Sequence, residues 1–513
     1  MGSEHEYPLC VTCQTALSIH PTTDTATTQT CFVCLGVFQK ETFAKRLKDA
    51  IRTMVEPYRQ FVKFSSDNNT INLPGDLIYR LARCGNRKAC ADYTQRLKQY
   101  GKDTLHECLK RIELDYATSE ILDSFPSCVK DEQQGHLSVA VVVLPTVKRP
   151  SLDTSHQNKS RKKRKRRTYE EVSQGGDPRE NLEQRIEQQG KVVWSINSST
   201  QPVEGAWDPP KDEALTDVEI HVAVWRRPFY VKSCYTKTRR DVSQTPFVVV
   251  DAGVTRKRGV TSVEEQIVPI LTQHVGGIST SNNNEDSNLV YGKCKFHASG
   301  REDMDVKMLL PSEPNSDITG RPFVCEVTDA LEMPLPTVTL PKIVRGINDG
   351  DESPSHRSYG TNPLGVGIAP ELAFCPSSSY KNLQTETEDK VKYYGCYCWS
   401  AKPVTQEILN KFTALFPLKI QQATPIRVLH RRSNIKRTRY VLSYQATVID
   451  EHHFQLQIST TAGTYVKEFV HSDLGRTIPS MASLLGCHTD LLELDCEGIQ
   501  MSPHVVADSL EQS

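Results

Sequence analysis

Between Ser151 and about Lys211 the sequence turns polar and charged, with few large apolar residues. A stretch so poor in apolar surface cannot offset the entropy of ordering its own backbone. Whatever folds in this chain must therefore come from the two flanks, and residues 151–211 read as a disordered insertion. The length of 513 residues agrees, because single cores stop growing at roughly 250 to 300 residues. The expected division is an accessory domain begun in residues 1–150, the insertion, completion of the accessory domain and a connection at 212–250, and a second domain at 251–505.

Local patterning fills in the flanks. TFAKRLKDAIRTMV has helical spacing, HLSVAVVVLPTVKR has the β-branched apolar character of a buried strand, and VEIHVAVW alternates as a half-buried strand does. In TSVEEQIVPILTQHV, Ser262 and Glu265 stand at capping-box spacing, and Val263, Ile267 and Leu271 line one helical face. The polar stretches Asn282–Ser287 and Ile347–Thr361 read as loops or insertions. Strands recur through the second half without an internal repeat, which gives an α/β or α+β domain with mainly antiparallel sheets and an α+β chain overall.

Lys plus Arg and Asp plus Glu each total 62, so net charge is silent on a polyanionic partner and only local clusters can speak. The densest is Arg161–Arg167, RKKRKRR, whose like charges repel too strongly to form a defined site. It reads as a nuclear import signal, an RNA tether or a solvated tail. No run of about 18 apolar residues occurs, and the N-terminus lacks the basic-then-apolar order of a signal peptide. The expectation is an intracellular protein of nucleus or cytoplasm with no membrane segment. Most of the 16 cysteines should then be reduced, with Cys294, Cys325, Cys396 and Cys398 acting as small buried apolar groups. Cys10, Cys13, Cys31 and Cys34 are different. They form two closely spaced CxxC pairs able to close a tetrahedral Zn²⁺ site, and four sulfurs fill the coordination shell, so the metal would be structural.

The most informative segment is KCKFHASGREDMDVKMLL, Lys293–Leu310, where an alternating strand runs into Gly300, Arg301, Glu302 and Asp303. Gly-Arg-x-Asp after a strand resembles the active-site motif of pseudouridine synthases. The longer form GREDMDV, with Arg321, Pro322 and Phe323 of GRPFVCEV, resembles specifically the archaeal and eukaryotic family acting at positions 54 and 55 of the tRNA T loop. YTKTRRDVSQTPF, TPIRVLHRR, AGTYVKEFVHSDLGRTIPS and SLLGCHTDLLELDCEGI match that family in order and spacing, over roughly Val218–Ile499. The resemblance implies a pseudouridine synthase catalytic domain, with a zinc-containing, THUMP-like RNA-binding accessory domain before it.

The chemistry asks for the same residue types. Breaking the N-glycosidic bond, turning the base and rejoining it through carbon needs an anionic group beside the ribose or base, and a carboxylate serves without a cofactor. Asp303 is the candidate; Asp305 would face the opposite side if strand geometry continued. A carboxylate enclosed with a base needs a cation to offset its desolvation, and the resemblance pairs Asp303 with Lys467 of GTYVKEF. It also implies an aromatic ring against the base in KYYGCYCW. That ring is Tyr394 on the Lys-x-Tyr alignment, with Tyr393 the open alternative. Leu494 would close the pocket. Arg301, Arg427, Arg431 and Arg432, with Lys237, Arg239 and Arg240, are candidate RNA contacts of the kind that hold phosphates without reading sequence.

Two departures stand out. PSEPNSDIT between Leu310 and Gly320 lengthens a turn expected close to Asp303, and Ser472 replaces the family glycine in HSDLGRT, implying an ordinary backbone there. The resulting expectation is a monomer acting on the T arm of tRNA and on other structured RNAs, with structural zinc and no organic cofactor. The alternatives are a non-catalytic RNA-binding scaffold in small-RNA processing, or a zinc-ribbon protein of the transcription machinery. The second leaves GREDMDV and GTYVKEF unexplained.

Overall fold

Two of the expected strands, Leu137–Val147 and Leu215–Arg226, lie side by side in one sheet, with Val147 paired to Leu215. The computed structural model describes Cys13 and residues 40–59, 63–73, 87–116, 123–147, 215–251, 254–277, 279–280, 288–289, 291–313, 315–348, 357–360, 362–385, 390–430 and 432–501. The insertion with its basic run Arg161–Arg167, Cys10, Cys31, Cys34, Asn282–Ser287 and Arg431 lie outside these.

In the first domain, helix α1 (Lys40–Val55) buries Phe43, Leu47, Ile51 and Val55, an i, i+4 stripe, against helix α2 (Arg87–Tyr116) and a three-stranded sheet. In that sheet β1 (Thr70–Asn72) runs parallel to β2 (Leu137–Val147), and β2 antiparallel to β3 (Leu215–Arg226). The next strand, β4 (Phe229–Lys237), belongs to the other domain's sheet, so the boundary falls at residues 227–228 and the expected connection at 212–250 is corrected. Backbone hydrogen bonding decides this; alternation of side chains looks the same in either sheet.

The second domain is one large sheet, of 13 strands among the described residues. Beyond β4 its main strands are β5 (Lys293–Ala298), β6 (Lys307–Met308), β7 (Arg321–Thr328), β8 (Lys390–Ser400), β9 (Leu418–Ala423), β10 (Lys436–Val448), β11 (His453–Thr461) and β12 (Thr489–Met501). They lie in the order β5-β7-β4-β6-β12-β8-β11-β10-β9, antiparallel except that β6 runs parallel to β12. Helix α3 (Val263–His274) starts as read, with the Ser262 hydroxyl accepting from Glu265 N–H and Val263, Ile267 and Leu271 buried.

The two-residue β6 is the seam. Met308 pairs with Lys237 of β4 on one side, and Lys307 and Met308 pair with Asp495 and Cys496 of β12 on the other. Residues 299–306, which enter this seam, are therefore held where the two halves of the sheet meet. Among the described residues no helix is long and apolar enough to cross a membrane.

Candidate active site

Asp303 sits in the irregular segment between β5 and β6, and the residues beside it explain its outward position. Gly300 has φ +77°, a backbone conformation that strains any residue with a side chain, and a Cβ there would also press on Arg321 Nη1 at 3.1 Å. Glu302 turns inward. Its carboxylate pairs with Arg321 Nε at 2.6 Å, accepts from the Tyr235 hydroxyl at 2.7 Å and from Gln244 at 3.3 Å, and is buried with its partner. Arg321 Nη1 also donates to the Ser299 carbonyl at 2.7 Å.

Lys237 was a candidate RNA contact, but it is fully buried and donates to the Val242 carbonyl at 2.6 Å and the Met304 carbonyl at 2.9 Å. Burial pushes its ammonium down to about 8. It is a strut beneath the Asp303 loop. Arg240 likewise donates to the Asp305 and Leu494 carbonyls and pairs with Glu493 and Asp495, while Arg239 pairs with Asp241 at 2.6 Å. A basic cluster in sequence says nothing of which carbonyls and carboxylates the fold brings to it.

Above this anchored loop runs an alternating chain of charges. Glu468, only 1% exposed, accepts from Arg427 Nε at 2.8 Å; Arg427 Nη1 reaches Asp303 Oδ2 at 3.0 Å; Lys467 Nζ stands 3.5 Å from the same oxygen and 2.8 Å from Asp305 Oδ2. One expectation is corrected: Asp305 does not face away from Asp303, because the segment is a turn and both carboxylates reach one ammonium. Arg427, a candidate RNA contact, pairs with two carboxylates and also lines the cavity. Burial works to raise the Asp305 carboxyl, but the Lys467 hydrogen bond and charge leave it below the usual range. Burial likewise opposes the charge on Arg427, and the Glu468 hydrogen bond more than offsets it.

Asp303 opens onto a cavity of about 370 Å³ lined by residues of both halves of the sheet. Strand alternation along β8 sends Lys392 and Tyr394 into it, whereas the Tyr393 hydroxyl donates to Gln500 at 2.7 Å. Tyr394 lies opposite Cys496, and Leu494 stands two residues before it on β12. Burial raises the Tyr394 phenol well above its ordinary range. Arg301, Arg432, Arg437 and Arg439 join the lining; Arg301 is exposed, and Arg432 donates to the Tyr465 hydroxyl at 3.1 Å. Glu302, Glu468, Lys392, Arg437 and Arg439 were given no role in the sequence; Glu302, Glu468 and Lys392 stand within the quoted motifs, and Arg437 and Arg439 carried no signal.

Lys467 lies in the first turn of helix α4 (Val466–His471), whose C-cap is Ser472 at φ 74°. The serine thus keeps the left-handed conformation that a glycine adopts without strain, contrary to the expectation of an ordinary backbone. The lengthened loop also differs from expectation: Ile318 and Thr319 pair with Gln500 and Ile499 at the far end of β12, and no described residue of 310–320 lines the cavity. Of the four cysteines read as zinc ligands only Cys13 is described, and it is buried. Among the described residues no three His, Cys, Asp or Glu side chains converge as a metal site.

A family model described as Pus10, C-terminal, matches residues 230–500. The chain is 30% identical over 293 residues to the tRNA pseudouridine synthase Pus10 of Xenopus laevis, covering 57% of this chain and 49% of that one. To the putative tRNA pseudouridine synthase Pus10 of Drosophila melanogaster it is 33% identical, over 54% of this chain and 48% of the other. To the tRNA pseudouridine synthase Pus10 of Thermofilum pendens it is 32% identical, over 55% and 54%. The chain spans about half the length of the curated relatives it matches. A solved Cbf5-Nop10-Gar1 complex aligns at 14% identity over 52% of this chain and 48% of that chain with a TM-score of 0.25, too low to bear on the fold.

Proposed function

The chain belongs to the Pus10, C-terminal family, and from that premise we propose that it is a tRNA pseudouridine synthase, converting uridine to pseudouridine in the T loop at position 55, 54 or both. One observation carries the reading: of the two carboxylates lining the cavity Glu302 is buried against Arg321, whereas Asp303 is open and is held by two cations, Arg427 and Lys467. The names of the relatives support the activity and the tRNA substrate.

In this reading Asp303 supplies the anion beside the ribose or base, and its two cations offset the cost of enclosing that charge when RNA seals the cavity. Tyr394 stacks on the target base and Leu494 closes over it. Arg301, Arg432, Arg437 and Arg439 hold the flanking phosphates, as does Arg431. The reaction is an isomerisation, C1′–N1 exchanged for C1′–C5, so it balances without a redox or group-carrying cofactor. Cys10, Cys13, Cys31 and Cys34 would hold a structural zinc, since four thiolates complete a tetrahedral shell. The first domain would then be a THUMP-like RNA-binding accessory, the protein a monomer, and Arg161–Arg167 its nuclear address.

The test is to incubate the purified protein with unmodified tRNA and map pseudouridine by carbodiimide-based primer extension. A stop in the T loop is expected. Its absence with an intact, folded protein would overturn the reading.

A further inference from the structure

Resting on that reading, we infer that Lys392 is a substrate-contacting cation of the site, its ammonium serving as counter-charge to the uracil anion that exists between cleavage of one glycosidic bond and formation of the other. The chemistry requires such an anion. When C1′–N1 breaks heterolytically the bond pair leaves with the base, whose negative charge spreads over N1 and the carbonyl oxygens. A base electron pair then forms C1′–C5, C5 loses one proton and N1 gains one. Atoms and charge balance, but while the base turns it carries one full negative charge.

In the chain described above three carboxylates, Asp303, Asp305 and Glu468, occupy the two cations Arg427 and Lys467, so neither cation is spare for the base, and Glu302 neutralises Arg321. Lys392 lies outside both sets. Its Nζ rests near the Gly300 backbone on the same face of β8 as Tyr394, lines the cavity, and has no hydrogen bond or ion pair among the described residues. An enclosed charge is ordinarily paired. Here the partner has to come from the cavity, and an anion delocalised over a ring stacked on Tyr394 fits that place.

Two cations, Arg321 and Lys390, and two groups of the opposite effect, Cys496 and Glu302, surround Lys392. Burial pushes its ammonium down to about 8; Arg321 and Lys390 push the same way, and Cys496 and Glu302 oppose them. A lysine lowered this far loses its charge in mild alkali, which makes its role measurable. Arginine in its place would stay charged.

The experiment measures single-turnover pseudouridine formation on a T-arm RNA, with RNA binding and thermal melting measured in parallel. K392Q should lower the rate on the order of 100-fold, as removal of an oxyanion donor does, while changing RNA affinity less than threefold. The wild-type kcat/KM should fall as pH rises through about 8, and K392R should carry appreciable activity to higher pH without that fall. A folded K392Q within threefold of wild type would overturn the inference. So would a wild-type profile flat to pH 10, a measurement that needs no variant to fold, or an alkaline fall unchanged in K392R. A wild type that formed no pseudouridine at all would overturn the reading beneath it, and this inference with it.

Discussion

Asp303 shares Arg427 with Glu468 and Lys467 with Asp305, so the position of its carboxylate depends on residues that never meet substrate. Replacing Asp303 with Asn keeps size and shape but removes the anion, and D303N should abolish pseudouridine formation while tRNA binding, carried by phosphate contacts and stacking, falls little. Near-normal turnover in D303N, read by primer extension, would sink the assignment. Glu468 is a positioning residue. E468Q leaves Arg427 without its buried anchor and should lower kcat about tenfold with KM nearly unchanged, since a charge-assisted hydrogen bond of roughly 1.5 kcal/mol is lost. A loss appearing only in KM would mean that Arg427 serves RNA binding instead.

At the scale of elements, the segment 299–306 has almost no regular structure, yet it is fixed from within by Glu302 and from beneath by Lys237. E302Q retains the shape but leaves Arg321 buried without its countercharge, which should destabilise the fold by about 3 kcal/mol and lower turnover by loosening Asp303. Urea unfolding would check the first part; an unchanged midpoint would show that Arg321 finds another partner. The strand β8 shows how far periodicity reaches. Alternation guarantees that Tyr393 and Tyr394 face opposite ways, but which face meets the cavity follows from the pairing of Tyr394 with Cys496.

Across the whole molecule, the two domains meet at Arg226. This fully buried guanidinium at the end of β3 donates to the Gly135 and Arg59 carbonyls of one domain and the Ala330 and Leu331 carbonyls of the other, beneath the Tyr58 ring. R226M would remove a donor from all four carbonyls, of which Leu331 keeps another, the Arg59 N–H. It should cost about 3 to 5 kcal/mol and increase protease cleavage near residues 227–228, read by denaturant unfolding and limited digestion. Full stability would mean that the domains are joined by other contacts. At the opposite end, C10S with C13S should lower bound zinc and the melting temperature together, because metal-binding free energy is also folding free energy. Wild-type protein without zinc by elemental analysis would end that proposal.

Helix starts, strand periods and the Asp303 and Lys467 motifs were legible because each depends on residues a few positions apart: Ser262 caps Glu265, Val263, Ile267 and Leu271 share a face, and Gly300 precedes Asp303 on one loop. What the sequence left undecided depends on residues far apart in the chain. Arg427 and Asp303 are 124 positions apart, and Arg240 and Leu494 are 254 apart. A surface arginine, a buried strut and a carboxylate clamp look alike in sequence, and only the partners brought up by the folded sheet separate them. Ser472 shows the same limit at one residue: its side chain argues for an ordinary backbone, and the turn closing α4 imposes a left-handed one. Local pattern thus determined the elements and the motif, while tertiary packing determined which charges neutralise one another and which, at Lys392, is left facing the cavity.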